Sequence, residues 1–320
     1  MAIELSIILV NWNGAKFLPD CLKSIVENPP SVTYEIVVVD NASTDASVEW
    51  LKSNEAVSFL FDANFKLIES DENLGFGRAN NLAIAGSNSP FIFILNPDTF
   101  VQPNSIDSLL QTVQLDQQIG VSVPRLLALN GEVHSSVWTL PNAFQILVVG
   151  FGLYRLVPRR MRGDWLLSGH WTYDEPRDVP LASGCAMMVD REMIEDVGAF
   201  DPDIFMYGED LDWCFRIGRK GWRIRFNPDA SIIHLGGESS KQNWSAIETN
   251  ILEEESTINF HFKSLGRFSV IKTSLARLAV IAPRYLLRRV CGQETAYFDK
   301  VIPLHLSALR AVVMGTNPFA

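Results

Sequence analysis

The chain has 320 residues, 47% hydrophobic and 20% charged, with a formal net charge of -10. That balance fits a globular protein holding one large α/β domain with an appendage, or two domains, and excludes a disordered chain. The acidic excess also excludes a general nucleic-acid binder, which presents a basic face.

Leu5 to Val10 is an apolar run that breaks into Asn11-Trp12-Asn13-Gly14, which predicts a strand and then a turn. From Lys16 to Glu27, the residues Phe17, Leu18, Cys21, Leu22, Ile25 and Val26 share one helical face. Tyr34 to Val39 predicts a second strand, running into Asp40-Asn41-Ala42-Ser43-Thr44-Asp45, rich in helix-capping residues. Lys66 to Glu69 predicts a short third strand, followed by the turn Asn73-Leu74-Gly75-Phe76-Gly77-Arg78-Ala79-Asn80-Asn81. Phe91 to Leu95 is too short for a helix and rich in aromatic and β-branched residues, so it reads as a strand buried on both faces. Pro97 cannot donate to a ladder, so that strand must stop, leaving Asp98 at its carboxyl end. Open α/β sheets bind ligands there. An amphipathic segment through Ile106, Leu109, Leu110 and Val113 and a strand near Val121 continue the alternation, which predicts βαβ units and a parallel sheet.

From 129 to 179 the pattern becomes irregular, with Trp138, Trp165, Trp171 and the apolar patch Ile146 to Val149. It reads as an inserted, surface-forming region that selects a substrate. Leu181 to Val189, a helix-like run to Val197, and Phe205 to Arg216 entering a helix restore order. A strand pair, Trp222 to Phe226 and Ser231 to His234, closes the domain. Beyond about Gly236 the composition shifts: Lys263 to Gln293 holds seven basic residues and no acidic one. Phe268, Ile271, Leu275, Leu278, Ala282 and Leu286 recur there at helical spacing, with Arg277, Arg284 and Arg288 opposite and a kink expected at Pro283. The segment is either a solvated face packing on the preceding domain or a peripheral anchor on an anionic cytoplasmic membrane. The amino terminus shows no basic leader, and no stretch approaches the roughly 20 apolar residues of a spanning helix. Four scattered cysteines without a CxxC pair suit reduced thiols. These features lead us to expect a cytoplasmic protein.

Three predicted strands end in polar residues, at Asn11, at Asp40, and at Asn96 with Asp98. Parallel strands bring all three ends to one edge. A carboxylate such as Asp98 beside a second oxygen donor suits Mg²⁺ or Mn²⁺. The Gly75 to Asn80 turn lacks the third glycine of the dinucleotide fingerprint. It is either a tight turn capping a helix or a backbone approaching a nucleotide, with Arg78 facing a diphosphate. Glu209-Asp210-x-Asp212 places three mutually repelling carboxylates at a helix start. Their apolar flank, Phe205, Met206, Tyr207 and Trp213, raises a carboxylate toward general-base range. His234, at a strand end, is a metal ligand, a phosphate donor or a packed histidine. His134, His170, His261 and His305 have no supporting context.

VNWNG at 10–14, VVDNASTD at 38–45, NLGFGRANN at 73–81, FILNPDT at 93–99, SGCAMMVDR at 183–191 and GAFDPDIFMYGEDLDWCFR at 198–216 resemble the family 2 glycosyltransferases. The nearest resemblance is to the rhamnosyltransferase-like branch that builds cell-surface polysaccharides. It covers residues 3 to 240 and implies a GT-A fold, a Rossmann-like, mainly parallel α/β sheet flanked by helices. On that basis 1–240 is the catalytic domain, with 129–179 an acceptor-side insertion, and 241–320 a helical extension, with membrane contact through 263–293 and packing on the catalytic domain both left open. The resemblance implies inverting transfer of a sugar such as rhamnose from a dTDP- or UDP-sugar to a glycan or lipid-linked acceptor. It places Asn11, Asp40, Asn41, Asn73, Gly75, Phe76, Arg78, Asn80, Asn96 and Asp98 around the donor. Asp98 and His234 would hold the divalent metal, Mn²⁺ or Mg²⁺; Asp210 would be the base and Glu209 would orient the acceptor. Asn96 stands where the family's DxD motif begins with Asp, a substitution common in this branch. Two other readings are weaker. A dinucleotide-dependent oxidoreductase needs a Gly-rich turn after the first strand, and a non-catalytic sugar-binding module leaves the acid cluster unexplained.

Overall fold

The structure, a computed structural model, describes residues 2–158, 161–162, 165–236 and 245–316. The chain divides into two compact units, Met1–Trp138 with Thr172–Gln242, and Thr139–Trp171 with Asn243–Ala320. The sequence-derived boundary at 240 lies outside the described residues. Residues 139–171, inside the interval read as an insertion, group with the carboxyl-terminal helices.

The first unit is built on strands β1 (Leu5–Asn11), β2 (Tyr34–Asp40), β3 (Lys66–Glu69), β4 (Phe91–Leu95), β5 (Thr99–Val101), β6 (Ile119–Leu127), β7 (Val133–His134), β8 (Val137–Trp138), β9 (Arg177–Val179), β10 (Leu181–Ala182), β11 (Ala186–Asp190) and β12 (Arg223–His234). Its main sheet runs β3-β2-β1-β4-β11-β6-β12-β5, with β7 on β6 and β9 on β12; β8 and β10 form a separate ribbon. β1 to β4 are parallel, β11 is antiparallel between β4 and β6, and β12 is parallel to β6. Helices α1 (Leu18–Glu27), α2 (Ser47–Leu51), α3 (Asn54–Leu60), α4 (Phe76–Ala85), α5 (Ser105–Gln114), α7 (Arg191–Val197) and α8 (Glu209–Arg219) belong to this unit. Leu18, Leu22 and Ile25 of α1 and Ile106, Leu109 and Val113 of α5 bury against Leu5, Ile7, Phe93 and Leu95. α4 packs on β1 and β2. Helix cover explains why the central strands read as unbroken apolar runs and not as alternating ones.

Register decides where the polar strand ends fall. Asn11 pairs with Asp40 and Asp40 with Glu69, so β1, β2 and β3 finish level, and β4 ends beside them at Leu95, opposite Leu9. β11 starts at that edge, Ala186 opposite Leu95, and β12 finishes there, His234 opposite Thr99.

One sequence expectation of this unit needs correction. The expected pair at 222–234 is one strand, β12, with a bulge between Asn227 and Ser231. Pro228 has no N–H to donate there, and the Asn227 side chain takes the Asp229 amide and donates to Thr112 instead. Residues 181–189 hold two strands, β10 and β11, separated by Ser183-Gly184-Cys185.

The second unit holds α6 (Ala143–Gly150), α9 (Ala246–Phe260), α10 (Arg267–Val290) and α11 (Ala296–Met314). A capping box at Ser245 and Glu248 starts α9. α10 continues through Pro283. Its buried seam is Val270, Thr273, Ser274, Val280 and Ile281. The seam expected from sequence is offset from it: Phe268, Leu275 and Leu286 are 71%, 54% and 61% exposed. Arg277, expected on the solvated face, instead joins Glu254 and Tyr297 in a partly buried cluster. Periodicity cannot choose between two apolar stripes when the packed one includes Thr and Ser. Among the described residues, no helix is long and apolar enough to cross a membrane.

Candidate active site

The level strand ends of the first unit carry a lattice of amides and carboxylates. Asn11 donates through Nδ2 to Asp40 Oδ1 at 2.8 Å and to Ser43 Oγ at 3.1 Å. The Ser43 amide donates to Asp40 Oδ2 at 2.9 Å, so both carboxylate oxygens are held. Asn41 donates to Asn73 Oδ1 at 2.9 Å and accepts from the Leu74 amide at 2.8 Å, while Asn73 Oδ1 also accepts from the Gly75 amide. This fixes the turn into α4. Gly75 has φ +78°, and a Cβ there would lie 2.1 Å from the Phe205 carbonyl oxygen. Only glycine permits both the conformation and the approach.

α4 is tied to the 198–205 loop. The Phe76 amide donates to Phe205 O at 3.3 Å, Arg78 Nε to Pro202 O at 2.6 Å, and Asn81 pairs with both backbone groups of Phe200. Phe76, Phe200 and Trp213 form an aromatic chain from α4 to α8. Arg78 is therefore committed to a loop carbonyl through one nitrogen. Asn80 donates to Phe76 O, and neither Asn80 nor Asn11 exposes surface. Each holds a neighbour in place through its amide, and each keeps a buried side-chain oxygen without a hydrogen-bond partner among the described residues.

Asp98 is 3% exposed. Its backbone oxygen accepts from the Leu235 amide at 3.0 Å, and the strand pairing brings His234 alongside. His234 Nε2 lies 3.4 Å from Asp98 Oδ1, yet that nitrogen is buried without a hydrogen-bond partner. Two ligands about 2.1 Å from an octahedral cation, at right angles, stand roughly 3 Å apart. A carboxylate and an orphaned imidazole nitrogen at this spacing fit a divalent cation. Among the described residues no group of three or more His, Cys, Asp or Glu could hold one.

The 183–185 break faces the same edge. The Asn96 amide donates to Cys185 O at 2.8 Å, and the Gly184 amide donates to Asp210 Oδ2 at 3.3 Å. Burial pushes the Cys185 thiol up to about 12, and the charges of both Asp98 and Asp210 add to that push. One residue therefore feels both carboxylates. α8 starts from two left-handed residues, Tyr207 (φ 62°) and Gly208 (φ 89°). A tyrosine in that region is strained, and such strain concentrates at functional sites. Glu209 is 8% exposed with Oε2 unpartnered. Burial, and then the Asp210 charge, raise it to about 8. Burial also raises Asp210, against the amides of Gly184 and Leu211. Asp212 takes a structural part, paired with Arg216 at 2.7 Å.

Sequence reading missed Ser43, Gly184, Cys185 and Asn81. Ser43, Gly184 and Cys185 sit in quoted motifs but act through backbone groups or as neighbours. Asn81 carries a legible signal, since a polar residue following Asn80 on an otherwise apolar helix needs a partner.

This mainly parallel sheet, with its polar edge closed by an antiparallel strand and a returning helix, is the GT-A architecture. The mannosyltransferase PcManGT from Pyrobaculum calidifontis, solved with GDP-Man and Mn²⁺, superposes at TM-score 0.58 with 15% identity, over 99% of this chain and 89% of that one. GalNAc-T7, solved with UDP, GalNAc and Mn²⁺, gives 0.57 with 18% identity over 81% and 48%. Residues 6–154 match the model described as glycosyl transferase family 2, and 153–247 that described as glycosyl transferase family group 2. The chain belongs to the family 2 glycosyltransferases, enzymes that transfer sugar from a nucleotide-activated donor. It is 29% identical over 257 residues to the N-acetylglucosaminyl-diphospho-decaprenol L-rhamnosyltransferase of Mycobacterium tuberculosis, 75% of this chain and 78% of that protein. The rhamnosyltransferase WbbL of Escherichia coli K12 is 22% identical over 84% of this chain and 94% of its own length.

Proposed function

We propose that the enzyme transfers rhamnose or a similar sugar, with inversion, from a dTDP- or UDP-sugar to a hydroxyl of a lipid-linked glycan in cell-surface polysaccharide synthesis. Location at the cytoplasmic face of a membrane, in contact through 263–293, belongs to the same reading. The observation that carries it is the 183–185 break, where Gly184 donates to Asp210 and Cys185 O accepts from Asn96 two residues before Asp98, which lies 3.4 Å from His234. In this reading a sugar bound at that edge meets the cation site with its leaving group and Asp210 with its acceptor.

Asp40, held by Asn11 and Ser43, receives the nucleotide base, and the turn at Asn73, Gly75 and Phe76 closes over the nucleoside. Asn96 offers its amide to a ribose hydroxyl or a water. Asp98 and His234 hold Mn²⁺ or Mg²⁺, which supplies charge neutralisation for the departing diphosphate. Asp210, fixed by two amides, takes the proton from the acceptor hydroxyl as that oxygen attacks the anomeric carbon from the opposite side. Burial raises both acids and their charges repel, so the pair favours a single negative charge, which we assign to Asp210. The names of the mycobacterial and Escherichia coli relatives support the sugar and the acceptor class.

Titration calorimetry of the enzyme with dTDP and with UDP, with and without Mn²⁺, tests the donor side. Binding of one nucleotide that needs Mn²⁺, and that in Asp98→Ala and His234→Ala falls to the metal-free level even with Mn²⁺ present, is expected. Equal affinity with and without the cation in the unaltered enzyme overturns the metal assignment.

A further inference from the structure

The second unit carries most of the large apolar side chains exposed among the described residues. They are not scattered. Along α10, Phe268, Leu275, Leu286 and Val290 recur at helical spacing on its uncovered side. Phe151, Leu153 and Leu156, exposed just after α6, belong to a segment more than a hundred residues away in sequence.

Two contacts bring these stretches together. Gly150, which ends α6, lies so close to Val280 of α10 that a Cβ would meet its methyl at 2.4 Å. One turn further along α10, Arg284 donates to the Gly150 carbonyl oxygen. The apolar residues of 151–156 thus leave α6 beside the last turns of α10.

The same two stretches carry basic residues and no acidic ones. No Asp or Glu occurs from Ala143 to Arg162 or from Lys263 to Gln293, in a chain whose net charge is -10. Arg162 donates to Val157 O, Arg284 to Gly150 O, Arg288 to Glu294 O and Arg289 to the Tyr285 hydroxyl, while Arg155 lies over the Tyr154 ring. Among the described residues none of these five guanidiniums is paired with a carboxylate.

We infer that α10 and the 151–156 segment form one composite docking surface for an anionic lipid bilayer. Apolar side chains enter the headgroup boundary and arginines meet the lipid phosphates. A second copy of the chain is a poorer occupant, because a twofold contact sets these arginines against their own copies. The inference deepens the lipid-linked acceptor reading and rests on it for biological sense, though its physical basis is the surface alone. It also revises the sequence-stretch view: residues 263–293 are half of the surface, and Arg277 is no part of it.

The test is flotation of the full-length enzyme with phosphatidylcholine vesicles, with and without about one-third phosphatidylglycerol. Binding to the anionic vesicles only, weakened by 0.5 M NaCl, is expected. Phe151→Glu with Leu156→Glu should reduce it tenfold or more although the whole basic helix is intact, and Leu286→Glu with Val290→Glu should do the same. Circular dichroism and nucleoside diphosphate binding should stay unchanged in both, which separates loss of docking from loss of fold or of the donor site. Equal binding to neutral vesicles, no binding, or unaltered binding by the Phe151/Leu156 variant overturns the inference. So does a concentration-dependent dimer of the parent that either variant abolishes.

Discussion

Two adjacent acids at the start of α8 share an environment that favours one charge, not two. Glu209→Gln preserves the neutral form and should keep transfer at pH 7 within a few-fold, whereas Asp210→Asn should retain nucleotide binding and lose transfer by about 10²–10⁴. Near-normal transfer by Asp210→Asn would move the base elsewhere. The Glu209 pKa also makes a stability statement. An acid raised from 4.5 to about 8 contributes stability that is complete below the lower value and is lost as pH rises through the upper one. Melting temperatures of parent and Glu209→Gln should therefore diverge from pH 5 to 9, the variant gaining relative to the parent. Parallel curves would place the proton on another group. At this scale the sequence was informative for carboxylates. It was less so for the amides that aim them, since Gly184 shows its function only through a backbone N–H.

Within the helical unit, α9, α10 and α11 meet at Glu254, Arg277, Tyr297 and His305. Arg277 pairs with Glu254 and donates to the Tyr297 hydroxyl at 2.9 Å, and His305 Nε2 lies 3.3 Å from Glu254. Burial pushes Glu254 up, but His305 and Arg277 outweigh it and leave the acid below its ordinary range. Its stabilising share is thus present above the unfolded-state pKa and lost as pH falls through the lower folded value. Arg277→Leu leaves the Glu254 charge enclosed without its main counterion and should cost about 3–5 kcal/mol, read by urea denaturation at pH 7. The double change Glu254→Leu with Arg277→Leu should recover much of that loss; no recovery would deny that the two charges act as a pair. None of this was legible from the chain, because helical spacing reports which residues align and not which residues another helix supplies. His305 lacked a sequence context for the same reason: its partners Glu254 and Ser274 are 51 and 31 residues away.

Across the first unit, the site is assembled from two distant stretches of chain. Residues 11–98 supply the strand ends, and 183–234 supply the antiparallel return, α8 and His234. The parallel strands and their polar ends could be read directly, because each apolar run stops at a turn and a parallel ladder forces the ends level. The return was less legible, since only the break at Ser183-Gly184-Cys185, not an unbroken strand, brings Cys185 against Asn96 and Gly184 against Asp210. The joint between the two stretches is narrowest at Gly75, where the turn that Asn41 and Asn73 organise meets Phe205 O. Gly75→Ala adds a Cβ where 2.1 Å is available, at a positive φ, so the loop must retreat from α4. That loop leads into α8 and carries Asp210 with it. We expect the variant to lose transfer by more than tenfold and to melt lower, with nucleotide affinity falling as well because both stretches share the turn. Gly131→Ala, also at positive φ but with nothing within 4 Å, is the control for backbone strain alone and should leave both activities near normal. Equal losses in the two variants would mean that φ, not the meeting of the two stretches, explains the glycine at 75.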